Sequence, residues 1–88
     1  MGINGQVDMQ KWEYTILEVS NWVVVTVNEQ RIAEHTVWGN LKGGRSLFRL
    51  LNELGKEGWE VTGVSPTSGS GAVPIPVEVI VILKRPLS

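Results

Sequence analysis

The chain contains no cysteine and only one histidine, His35, among its 88 residues. The absence of cysteine excludes disulfides, thiolate metal ligands and a cysteine nucleophile. A single histidine also excludes a multi-histidine zinc site built within one chain. The sequence therefore predicts no metal and no cofactor, and its lack of cysteine fits a reducing compartment.

The chain also has no large excess of positive or negative charge. It contains eight lysines and arginines and nine acidic residues, for a net charge of −1. A non-specific nucleic-acid binder needs a strong positive field, so we expect no nucleic acid as a partner. The longest apolar run, residues 79–83, is far too short to span a bilayer. The first residues also lack the basic start and apolar run of a signal peptide. We expect a cytoplasmic protein with no membrane partner.

The length of the chain allows one domain at most, since typical domains have roughly 100–150 residues. A composition of 42% hydrophobic and 19% charged residues is typical of a globular domain. Residues 1–10 are predicted to be a flexible N-terminus, and the Gly/Ser/Pro-rich stretch 66–76 a flexible loop. The prediction is a single domain over residues 1–88.

The remaining residues divide into strands around one helix. Polar turns at 20–21 and 28–30 separate the first segments into an antiparallel meander. The predicted fold class is α+β, with a single antiparallel sheet of four to five strands and one helix packed on one face, in the order β-β-(β)-α-β-β. Aromatic and β-branched residues predict strands at 11–19, 22–27, 59–65 and 77–85, with a weaker strand at 31–37.

The helix is predicted from about residue 46 to residue 57. Its apolar positions follow the i, i+3, i+4, i+7 spacing of one helical stripe. Ser46 is the expected N-cap, Gly58 suits the left-handed position that follows the helix, and Trp59 should then pack against Leu54. The stripe consists of Leu47, Leu50, Leu51 and Leu54.

Two strands are apolar on both faces, which a sheet covered by one helix does not need. Large exposed apolar surfaces often mark an interface, so the sequence predicts a homo-oligomer, most simply a two-fold dimer. A different protein partner stays open, and so does a second reading in which the N-terminal segment or the long loop covers this face. The predicted interface residues are Trp22, Val24, Ile80 and Ile82.

A Gly-rich segment precedes the helix and resembles the phosphate-cradling pattern G-x-x-x-x-G-K-[ST], with Arg45 in place of the lysine. Convergent backbone N–H groups and a helix N-terminus could bind an anion or a nucleotide there. The alternative, which we favour, is a flexible loop followed by a helix cap, since no βαβ unit surrounds the segment. The candidate ligand residues are Gly39, Lys42, Gly43, Gly44, Arg45, Ser46 and the neighbouring Trp38.

The sequence marks no catalytic set. His35 and Glu34 are neighbours in a strand, so their side chains point to opposite faces. Among the four tryptophans, we assign Trp12 and Trp59 to the core, and Trp22 and Trp38 are freer. The prediction is a non-enzymatic binding or scaffolding module that associates with itself, and an anion- or nucleotide-binding domain is the alternative.

Three blocks carry a resemblance to a known family, namely K-W-E-Y at 11–14, L-N-E-L-G-K-E-G-W-E at 51–60 and L-K-R-P at 83–86. In this order they resemble a family of small bacterial and phage proteins that is a domain of unknown function. The resemblance implies a short α+β fold in a bacterial, cytoplasmic setting. It carries no catalytic residues that could be transferred to this chain.

Overall fold

The computed structural model of the protein describes residues 9–35, 41–67 and 77–87. These described residues form eight strands and one helix. In chain order the elements are β1 (Trp12–Ser20), β2 (Val23–Val27), β3 (Gln30–Arg31), β4 (Ala33–His35), β5 (Leu41–Gly43), β6 (Arg45–Ser46), α1 (Leu47–Lys56), β7 (Glu60–Pro66) and β8 (Val79–Pro86).

The main sheet is antiparallel and has the order β3-β2-β1-β8-β7, with β6 pairing beside β3 on the same edge of β2. The last strand, β8, thus lies between β1 and β7 and is a central strand of the sheet. The α+β class, the one helix and the antiparallel sheet were predicted correctly. The strand count was too low, because the sheet has six strands and β4 and β5 form a second, two-stranded sheet.

Two tight turns connect the first strands. Asn21 and Trp22 form the turn between β1 and β2, and Asn28 and Glu29 form the turn between β2 and β3. All four have positive φ, between 50° and 72°. Two-residue turns with positive φ at both central positions match the right-handed twist of antiparallel strands, so these turns set the register of the hairpins.

The helix packs on one face of the sheet and closes the main core. Its N-cap is Ser46, whose side chain accepts a hydrogen bond from the Arg49 backbone N–H. At the other end Gly58 has φ of 94°, and the Trp59 N–H donates to the Leu54 carbonyl at 3.0 Å. This is the predicted helix end. The buried core residues are Leu17, Val19, Val24, Leu47, Leu50, Val81 and Leu83.

A bulge in β2 corrects the predicted faces of that strand. Val19 pairs with Val24 and Glu18 with Thr26, so Val25 is the extra residue between them. A bulge inserts one unpaired residue and shifts the alternation of side chains. Val24 therefore lies in the core beneath the helix with 0% exposure. The prediction that Val24 belongs to an interface was wrong for this reason.

The Gly-rich segment, predicted to be a loop, contains β5 and β6 in its described part. Gly43 and Gly44 have φ of 84° and 81°; Gly43 lies against the Ile32 backbone, and Gly44 lies against β2. A Cβ on Gly44 would lie 2.6 Å from Val23 Cγ1 and 2.9 Å from the Val24 carbonyl oxygen. These glycines are therefore required for close packing of the backbone.

The predicted flexible segments fall mostly outside the described residues, which begin at residue 9 and omit 68–76. The first two residues of the predicted loop 66–76 continue the sheet instead. Pro66 is the last residue of β7, and the Thr67 N–H donates to the Glu78 carbonyl. Within the described residues, no helix is long and apolar enough to cross a bilayer.

Candidate functional site

The sheet face opposite the helix, here called the open face, exposes a row of aromatic and apolar side chains of β1. Trp12 is 38% exposed, Tyr14 56% and Ile16 44%. Side chains alternate along a strand, so these three share a face, while Leu17 and Val19 point to the core. The neighbouring strand adds Ile82, opposite Ile16, and Lys84, opposite Tyr14.

Lys84 marks one end of the open face with a positive charge. Its Nζ lies 4.1 Å from the centroid of the Trp12 ring. An ammonium over the face of an indole is attracted by the negative charge density of the ring. The contact holds a cation and an aromatic ring together as one group, here called the cationic end.

The other end of the open face is an acidic depression, a cavity of about 290 Å³. The Glu18 carboxylate accepts a hydrogen bond from the Thr26 hydroxyl at 2.5 Å. The Asn28 side-chain oxygen accepts from the Ile16 N–H at 2.8 Å and ties the β2–β3 turn to β1. The depression is lined by Ile16, Glu18, Thr26, Asn28, Glu29 and Ile80.

A second small core covers part of the same face. Val25, Ala33 and Val77 are buried together, and Val23 and Ile80 pack against them. Val25, the extra residue of the bulge, thus packs against Ala33 of β4 and against Val77, which precedes β8. Because this cluster lies near β2, the exposed part of the open face is concentrated on β1 and β8.

The four predicted interface residues separate in the structure. Ile80 and Ile82 lie on the open face, and Val24 lies in the core as described. Trp22 projects from the β1–β2 turn and is 77% exposed. It lines a small cavity together with Val19, Leu47, Glu78 and Val79, at the end of the sheet and away from Tyr14 and Ile16.

Sequence reasoning missed Trp12, Tyr14 and Ile16 as exposed residues. The even positions of β1 are the more apolar ones near its start, so Trp12 was assigned to the core. The odd positions carry Thr15, which is buried, followed by Leu17 and Val19. The later half of the strand contained the signal, because its apolar residues decide which face meets the helix.

In the described part of the predicted phosphate cradle, several donors already bond within the protein. The Gly44 N–H donates to the Ile32 carbonyl at 2.7 Å, and the Leu47 N–H donates to the Trp22 carbonyl at 2.9 Å. The guanidinium of Arg45 binds both carboxylate oxygens of Glu53 at 2.6 Å. Ser46 is occupied as the N-cap.

The rest of the predicted anion site is divided. Lys42 and Gly43 line a cavity of about 320 Å³ on the ribbon formed by β4 and β5, together with Arg31, Ile32, Ala33 and Glu34. Trp38 and Gly39 lie outside the described residues. In the part of the chain that the structure describes, no group of three histidine, cysteine or acidic side chains could hold a metal ion.

The three motif blocks meet around Arg85. Its Nε donates to the Glu13 carboxylate at 2.8 Å, and its Nη1 donates to the Glu57 carbonyl at 2.9 Å. The guanidinium also stacks on Trp59, with 4.5 Å between Cζ and the ring centroid. Arg85 thereby joins β1, β8 and the end of the helix, which gives these motif residues a structural role.

Comparisons with curated proteins and with solved structures found no match. A family model does match, over residues 12–86, and its description is a domain of unknown function, DUF4177. The matched range includes every strand, the helix and the whole open face. The chain belongs to the DUF4177 family.

Proposed function

We propose that this domain is a small non-enzymatic binding or scaffolding module that associates with a second copy through the open face of its sheet. The observation that supports the proposal is the exposure of Trp12, Tyr14 and Ile16 side by side, on a face that no helix of the described residues covers. Contiguous aromatic and aliphatic surface of this kind is typical of interfaces.

The dimensions of the face indicate a weak association. The nine residues of β1, at about 3.3 Å each, give a length of about 30 Å. The four adjacent strands β2, β1, β8 and β7, at about 4.8 Å spacing, set an upper limit of about 15 Å on its width. This area is smaller than the roughly 800 Å² per partner of a standard interface. We therefore expect a dimer that dissociates in the micromolar range.

The test is the absolute mass in solution, measured by light scattering on a sizing column from low to high micromolar concentration. The parent protein should shift from monomer to dimer across this range. Ile16→Lys should remain a monomer throughout, because it places a charge in the middle of the apolar face. A parent protein that is monomeric at every concentration would overturn the proposal.

The matched control is Val64→Lys. Val64 is also an exposed β-branched residue, 62% accessible, but it lies on β7 opposite Val81, whose side chain points to the helix. We expect Val64→Lys to dimerise like the parent. Equal loss of the dimer in both variants would mean that the added charge acts through solubility rather than through the open face.

A further inference from the structure

We infer that the two copies are related by a two-fold axis that runs perpendicular to the strands, so that Lys84 of each copy enters the acidic depression of the other. This inference rests on the proposed self-association and specifies its geometry. The observation behind it is that the cationic end and the acidic depression lie at opposite ends of the same face.

The register of β1 and β8 sets the spacing of the two ends. Lys84 is opposite Tyr14, Ile82 opposite Ile16, and Ile80 opposite Glu18. The rows of Tyr14 and Glu18 are four residues apart, which corresponds to about 13 Å along the strand. The row of Ile16 and Ile82 lies midway between them and is apolar.

Two sheets that pack face to face through a two-fold axis have that axis in the plane between them. An axis parallel to the strands would place the row of Lys84 opposite the same row of the other copy, so that the two ammonium groups lie close together. An axis perpendicular to the strands reverses the partner, and the row of Lys84 and Tyr14 then faces the row of Ile80 and Glu18. Lys84 meets Ile80 there, within reach of the Glu18 carboxylate on the adjacent strand. Like charges that meet cost free energy and opposite charges favour docking, so the second arrangement is preferred.

Shape complements charge in the same arrangement. The Lys84 ammonium and the Trp12 ring lie together at one end of the face, whereas Glu18 and Glu29 border a cavity of about 290 Å³ at the other. In the reversed arrangement Ile80, an apolar residue that lines this cavity, would contact the methylene groups of Lys84. The cavity at one end of the face can receive the long Lys84 side chain of the other copy only when the partner is reversed.

Among the described residues Lys84 has no ion-pair partner, so its ammonium can make this contact. Glu60 lies opposite it on β7, but these two described residues form no ion pair, and the ammonium lies over Trp12 instead. Glu18 accepts one hydrogen bond, from Thr26, through a single carboxylate oxygen. The second oxygen has no hydrogen bond to another described residue and can accept one from the ammonium of the second copy.

The experiment is a charge-reversal cycle, with the dissociation constant measured by light scattering or sedimentation. Lys84→Glu and Glu18→Lys should each weaken the dimer about tenfold or more. The double variant Lys84→Glu/Glu18→Lys should recover most of that loss, because its reversed charges again face each other. Arg49→Glu, on the exposed side of the helix, makes a charge change like that of Lys84→Glu and should leave the dissociation constant unchanged.

The outcomes separate the axis from the proposed function. If the parent dimerises and Ile16→Lys does not, but the double variant shows the summed loss of both single changes, the open face is correct and the axis is wrong. A parent that never dimerises overturns the proposed function itself. Recovery in the double variant supports both.

A second measurement covers the case in which a reversed charge disturbs the fold. The chain has no cysteine, so each introduced cysteine is the only one present. A mixture of Lys84→Cys and Glu18→Cys proteins, treated with a short bis-maleimide, should give a crosslinked heterodimer. Lys84→Cys alone should give little crosslinking. The reverse pattern would indicate an axis parallel to the strands and overturn the inference.

Discussion

The guanidinium of Arg85 stacks on the indole of Trp59, with 4.5 Å between Cζ and the ring centroid. The same guanidinium donates to the Glu57 carbonyl at the end of the helix. Helices end with carbonyl groups that have no partner within the helix, and a cation near them is favourable. Arg85 thus fastens the helix to β8 at the point where the chain turns into β7.

We expect Arg85→Ala to lower the free energy of unfolding by about 2 kcal/mol, because it removes the stacking and the charged hydrogen bond together. Glu13→Gln should cost only about 0.5 kcal/mol, since the Glu13 and Arg85 side chains are 36% and 33% exposed and surface pairs contribute little. Urea unfolding measures both. Equal losses in the two variants would assign the effect to the ion pair instead.

A pair of glycine substitutions tests the close packing against β2. Gly44→Ala should lower the free energy of unfolding by about 3 kcal/mol, because its Cβ would collide with Val23 and its φ is 81°. Gly55→Ala should raise it by about 0.5–1 kcal/mol, because this helical glycine has nothing within 4 Å of the added Cβ. Thermal and urea unfolding provide the comparison. A tolerated Gly44→Ala would show that the segment is as flexible as the sequence suggested.

The difference between these glycines also shows what the sequence could reveal. The helix, its N-cap and the end at Gly58 follow from local spacing and were predicted correctly. Gly43 and Gly44 were interpreted as a flexible loop, because a glycine that allows close approach has the same composition as one that allows motion. Only the neighbouring strand, which contacts Gly44 through Val23, distinguishes the two.

The candidate site was predictable in part for a related reason. Ile80 and Ile82 were identified because β8 is apolar at every position from 79 to 83. The bulge that places Val24 in the core depends on pairing with β1 and leaves no clear mark in the sequence. Whether Trp12 is exposed likewise depends on which face of β1 the helix packs against.

The internal hydrogen bonds of the Gly-rich segment lead to a prediction about anion binding. We expect inorganic phosphate and ATP to leave the melting temperature unchanged, because the Gly44 and Leu47 N–H groups and the Arg45 guanidinium are bonded within the protein. Differential scanning fluorimetry measures the shift. A clear shift that Lys42→Ala and Arg31→Ala abolish, with the fold intact, would instead place an anion in the cavity that both residues line.

The backbone conformation of Trp22 is expected to lower the stability of the protein. It has φ of 66° in the β1–β2 turn, a position that favours glycine and asparagine and penalises a bulky side chain. The side chain is 77% exposed, so little burial offsets this strain. We expect Trp22→Asn to raise the free energy of unfolding by about 0.5–1 kcal/mol, as measured by urea unfolding.

Phe48 provides the matched control for Trp22, since it is an aromatic residue with 76% exposure. It lies in the first turn of the helix, where asparagine is not favoured over phenylalanine by backbone conformation. Phe48→Asn should therefore leave stability unchanged or lower it slightly. Trp22→Asn would lower the free energy of unfolding only if the indole stabilises the fold by packing beside Leu47 and Val79, with which it lines a cavity. A lowered value would therefore show that this packing outweighs the backbone strain at Trp22.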